Sequence, residues 1–156
     1  MPIVVKSNIL KGIKMATVRA VTKVVQDYLT KEFGSISVTD TGKFQFPYES
    51  TVINVGVLDF GDNQTLVEFD ALIALDSKSN ADVYEWCNNI NFSLNIGTVV
   101  HVPAGKNNLT IIKYAIFGDD LDPAELLTSL SLIVVAADGL DDIFVQKFGG
   151  KKYSHI

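Results

Sequence analysis

Nucleophilic catalysis requires a nucleophile, a base and a group that orients the base, and this chain offers few candidates. Its one cysteine, Cys87, falls on a helical stripe with Val83, Trp86, Ile90 and Leu94, where a thiol is a buried structural residue. His101 alternates with Val100 and Val102 in a strand-like run, a pattern that turns His101 outward, and His155 lies at the end of the sequence. Two histidines and one cysteine cannot complete a structural zinc site. The acidic run Asp119, Asp120, Asp122 and Glu125 lacks the central glycine and closing glutamate of a calcium loop, and reads as a capped helix start. Asp138, Asp141 and Asp142 read as a solvated helix face. Gly56 and Gly61 lie within and after a strand, and Gly149-Gly150-Lys151-Lys152 follows a helix, so neither glycine group precedes a helix as a phosphate loop does. The residues therefore predict no catalytic residue, no metal site and no cofactor.

Apolar surface is the remaining candidate. Leu58, Phe60, Leu66, Leu72, Ile111 and Phe117 occupy strand positions of the parity opposite to the core set, and a free patch of this kind marks a partner surface. Two alternatives stand beside this reading. A helix or the Phe44/Phe46 hairpin covers these residues, or the strand parity is displaced by one residue.

The elements that must position them follow from periodicity. Residues 8–33 form an amphipathic helix ended by Gly34, with Leu10, Ile13, Val21, Val24, Tyr28 and Leu29 at helical spacing. Residues 36–39 and 43–48 form a hairpin around Asp40-Thr41-Gly42, with Pro47 at an edge or strand end. Residues 51–60 and 65–75 make a second, longer hairpin across Gly61-Asp62-Asn63-Gln64. In its second strand Val67, Phe69, Ala71, Ile73 and Leu75 face the core, and Leu66, Glu68, Asp70, Leu72 and Ala74 the reverse. Ser79 and Asp82 open a helix whose Asn88, Asn89 and Asn91 are solvent-exposed. Thr98–Val102 and Leu109–Phe117 are two further strands, with Val100, Val102, Ile112, Tyr114 and Ile116 inward. Asp122-Pro123-Ala124-Glu125 starts a long helix. Its stripe Leu126, Leu130, Ile133, Ala137, Leu140, Phe144 and Phe148 runs through Gly139. Gly149-Gly150 closes that helix, and residues 151–156 form a frayed tail. Short connections between neighbouring strands require an α+β domain, a mainly antiparallel sheet with helices on one face, in the order α-β-β-β(-β)-α-β-β-α.

The bulk numbers agree. At 156 residues, with 47% apolar and 20% charged residues, the chain is one globular domain, ordered from about residue 7 to 150. No apolar run reaches the ~20 residues of a membrane helix, and lysines interrupt the N-terminal apolar stretch, so the reading is an unexported cytoplasmic protein without membrane insertion. A lone cysteine agrees with a reducing compartment. Six of the 13 Lys/Arg but only two of the 18 Asp/Glu fall in the first 33 residues, leaving an acidic body that argues against nucleic acid.

This order of elements resembles the type III secretion chaperone-like superfamily, with its YbjN-like and actinobacterial TY-chaperone branches. The residues that carry the resemblance are Asn88-Asn89-Ile90-Asn91 in the second helix and the closing segment 126–150. In that segment Ala136-Ala137-Asp138-Gly139-Leu140-Asp141-Asp142 precedes Phe148-Gly149-Gly150. The first 50 residues match less well. The resemblance implies a small acidic protein, often a homodimer, that holds a partly unfolded client polypeptide by strand addition and apolar pockets. A regulatory or sensory interaction module of the YbjN type is the alternative. The family transfers no active-site residues.

Overall fold

The computed structural model describes residues 7–104 and 107–153, with side chains from Thr17 onward. The helical positions Leu10 and Ile13 fall outside the described side chains, and Ser154, His155 and Ile156 outside the described residues. The elements run α1 (Ser7–Phe33), β1 (Ser37–Val38), β2 (Phe44–Tyr48), β3 (Thr51–Gly61), β4 (Gln64–Leu75), α2 (Ala81–Ser93), β5 (Thr98–Val102), β6 (Leu109–Phe117) and α3 (Pro123–Phe148). The six strands form one sheet in the order β1-β2-β3-β4-β6-β5, and every pairing is antiparallel. This is the predicted α+β architecture.

Local chemistry explains the joints. Asp62 and Asn63 both take positive φ, as the two central residues of a tight hairpin must, so the β3–β4 turn is short and register-fixing. Asp122 caps α3 by accepting from the Glu125 N–H, with Pro123 in the first turn. α3 continues unbroken through Gly139, and six of the seven predicted stripe residues are buried, Leu140 being partly so. α2 starts one residue later than the Ser79 reading, because Asn80 is the cap that accepts from the Val83 N–H. Among the described side chains of α1, Val25 and Leu29 are fully buried, whereas Val24, placed on the stripe by spacing, is 36% exposed.

The core lies between the helices and one sheet face, built on Phe44, Phe46, Ile53, Val55, Val67, Phe69 and Ile112. Trp86 packs edge-on against Phe144 and Phe148 at 5.1 and 6.0 Å, joining α2 to α3. Two corrections concern parity. Val99 and His101 face inward, and Val100 and Val102 outward, the reverse of the expected β5 pattern. In β4 the register shifts between Leu72 and Ala74. The extra residue, Ile73, is buried, and beyond it Ala74 faces the core while Leu75 joins Leu72 on the reverse face. Period-2 alternation cannot anticipate an inserted residue.

Candidate functional site

The three helices bury their stripes against one face of the sheet, and the reverse face carries all six apolar positions singled out from sequence. Leu58, Leu66 and Phe117 pair in one row across β3, β4 and β6. Phe60, at the bulge that ends β3, stands edge-on to Phe117 with ring centroids 6.1 Å apart. Leu58, Phe60 and Phe117 are 42%, 57% and 53% exposed. Phe44 and Phe46 lie in the core and do not cover them.

Leu72 and Ile111 pair at the other end of the face, six residues along β4 from Leu66, and line a groove of about 570 Å³. Leu75 and Leu109 extend its floor, Val52, Pro47 and Gln45 form one side, and Tyr153 closes part of it. Leu72 is only 8% exposed, so the groove is a recess and not a flat patch.

Between the two apolar ends lies a charged band that periodicity did not reveal. Lys43 reaches across β3 to β4, its Nζ 2.9 Å from Glu68 and 2.6 Å from Asp70. Gly56 makes that crossing possible, since a Cβ there would sit 3.3 Å from the Lys43 stem. Lys113 approaches from β6, 3.0 Å from Glu68 and 3.7 Å from Asp70. Burial opposes the charge on Lys43, but its bonds to Asp70 and Glu68 outweigh this and hold the ammonium above its ordinary range. Burial likewise pushes Glu68 up, and Lys43 and Lys113 more than reverse that, holding it below the ordinary carboxylate range. Asp70 lines the groove, and its buried Oδ1 accepts no hydrogen bond, its ion-pair partner being Lys113 Nζ at 3.7 Å.

The chemistry-bearing residues do not converge. Cys87 is buried in the core, where desolvation raises its pKa. His101, expected outward, is buried at the α2–β5 seam, with Nδ1 2.9 Å from the Thr110 hydroxyl and its ring edge-on to Tyr84 at 5.5 Å. Its Nε2 has no partner, and burial lowers its pKa. Among the described residues no group of three His, Cys, Asp or Glu is placed to hold a metal, and no described helix is long and apolar enough to cross a membrane.

Asp141 and Asn91, read as solvated, Asp138, which stays exposed, and Asp119, read as part of a helix start, all make specific bonds. Asp119 accepts from the Thr65 N–H and hydroxyl. Asp138 accepts from Ser50. Asp141 is buried and accepts from Ser50 and from Lys152. The Asn91 amide bonds both the N–H and the C=O of Val99, at 2.7 and 3.0 Å. Lys151 to Tyr153, expected to fray, are tied down as well: Lys151 exchanges both backbone hydrogen bonds with Leu75.

Solved structures share the arrangement of this chain's sheet and helices. Similar to this chain are a chain in the HopA1–SchA chaperone–effector complex (11% identity, 82% of this chain and 97% of that one covered, TM-score 0.57) and one in the ExsC–ExsE complex (11%, 80% and 93%, 0.58). A third is found in the complex of the Yersinia pestis type III secretion chaperone SycH with a stable fragment of YscM2 (11%, 77% and 98%, 0.51). No curated protein sequence matches significantly. The profile of one family matches residues 19–155, and the chain belongs to it: T3SS (YopN, CesT) and YbjN peptide-binding chaperone 1.

Proposed function

We propose that this chain is a non-catalytic cytoplasmic escort that holds an extended segment of a secreted or otherwise aggregation-prone client against the reverse face of its sheet. The observation that carries this reading is the row Leu58–Leu66–Phe117, paired in register across three strands and left uncovered by the described chain. Membership of a peptide-binding chaperone family supports it, as do fold neighbours found in a chaperone–effector complex and in a complex of a chaperone with a partner fragment. The chemistry the face selects is apolar at both ends with a polar step between them. One apolar side chain rests on the Leu58/Leu66/Phe117 row and another in the Leu72/Ile111 groove, with a polar residue above the charged band between them. A uniformly apolar segment strips water from the partly exposed Lys43 and Lys113 ammonium groups without replacing it, which discriminates against such segments. The chain also forms a homodimer on this reading, since Phe92, Val135 and Ile143 on the helices are exposed apolar residues that a sheet-bound client does not reach.

Isothermal calorimetry with reduced, carboxymethylated α-lactalbumin as the unfolded probe tests the escort reading. Binding is expected for the wild type and a loss of at least ~10-fold for the Leu58→Asp/Phe117→Asp double variant, with the melting temperature retained because both sites are exposed. No heat with the unfolded probe, or equal binding by the double variant, would overturn it.

A further inference from the structure

The reverse-face groove already holds part of this chain. Gly149 and Gly150 take φ of 73° and 99°, turning the backbone out of α3 and back toward β4. Gly150 passes so close that a Cβ there would stand 2.5 Å from the Leu75 carbonyl oxygen, which excludes every other residue. Lys151 then donates to the Leu75 carbonyl at 2.8 Å and accepts from its N–H at 2.9 Å. β4 runs beyond the start of β3 at this point, because the β3 register reaches only to Ile53 opposite Ala71, with Thr51 bonded from its hydroxyl to the Leu72 carbonyl. Lys151 therefore pairs as a one-residue added strand. Lys152 bonds Asp142 at 2.8 Å and Asp141 at 3.3 Å, and Tyr153 lies against the groove floored by Leu72, Leu75, Leu109 and Ile111.

We propose that the segment Lys151–Tyr153 is a built-in competitor for the groove: it adds to the free end of β4 and seats an aromatic ring as an extended client segment would, so that a client must displace it. The proposal rests on the client-binding reading for its consequence but not for its geometry. A backbone pair and one ring are a small contact for an extended segment, weak enough to exchange, whereas the glycine turn and the Lys152 bonds keep the segment beside its site at high effective concentration. A segment docked nine-tenths of the time lowers the apparent affinity of any rival by about 10-fold.

The test uses full-length protein and a fluorescent octapeptide of sequence Gly-Gly-Lys-Lys-Tyr-Ser-His-Ile, followed by anisotropy. In Lys151→Pro/Tyr153→Ala the donor to Leu75 and the ring are both lost, while the Lys152 bonds to α3 remain. This variant is expected to bind the octapeptide at least ~10-fold more tightly than wild type, and adding Ile111→Asp is expected to abolish the gain. Tyr153→Phe, which keeps the ring, should match wild type and controls for misfolding. Equal binding by wild type and the unseated variant, or none by either, overturns the proposal. The α-lactalbumin probe separates the two ideas: equal, measurable affinity for both proteins sinks the competitor and leaves the escort reading standing, whereas no affinity for either sinks the escort reading while the octapeptide still decides the competitor.

Discussion

Burial disfavours the charged form of His101: the ring lies buried beside Thr110 and Tyr84 with one nitrogen unbonded, and desolvation depresses its pKa below the ordinary 6.5. The unfolded chain therefore takes up the proton first as pH falls. The contribution of this group to stability is complete above about 6.5 and is lost on acidification below it. Urea midpoints measured from roughly pH 7.5 down to 5.5 should decline for the wild type, and His101→Gln should flatten the decline. A slope unchanged by the substitution would show that other groups set it; Glu68, held below the ordinary carboxylate value of 4.5, acts only at lower pH. The sequence favoured no catalytic partner for His101 and placed it on the wrong face. Alternation fixes which residues share a side and not which side is inward, and Val100 and Val102 are as apolar as Val99. Asp141 failed for another reason: its partners Ser50 and Lys152 come from distant elements, so nothing local distinguishes it from Asp142.

At the scale of elements, the strand and helix order was legible because each has a chemical punctuation mark, such as Asp122-Pro123 before α3 or Asp62-Asn63 between β3 and β4. The Ile73 bulge and the crossing of Lys43 over Gly56 were not legible, since both depend on a neighbouring strand. Asn91 shows how an element can serve a sheet it does not belong to. β5 is an edge strand, and the Asn91 amide satisfies the outward N–H and C=O of Val99, closing the middle of that edge. Asn91→Ala should cost ~1–3 kcal/mol in chemical denaturation and speed amide exchange at Val99 selectively. Unchanged exchange there would mean that water replaces the side chain without loss.

For the whole molecule, the acidic body around a basic first helix and the absence of a convergent catalytic cluster left binding as the reading from sequence, and the family match agrees. The six apolar positions proposed for the partner do share a face, but the charged band splits them into an exposed row and a recessed groove, a division that only the register reveals. The proposed homodimer belongs to this scale. Sedimentation equilibrium should give twice the chain mass, and a Val135→Lys/Ile143→Lys variant should shift it toward the monomer; a wild-type monomer at high concentration would end that expectation. The tail bridge also has a consequence for handling and for fate in the cell. If Lys151 leaves Leu75 with nothing in exchange, the overhanging end of β4 is a naked hydrogen-bonding ledge beside greasy residues, open to the same ledge on another copy. A protease that cuts before Lys151 would bare that ledge and produce a species prone to strand-to-strand association beyond the helix-face dimer.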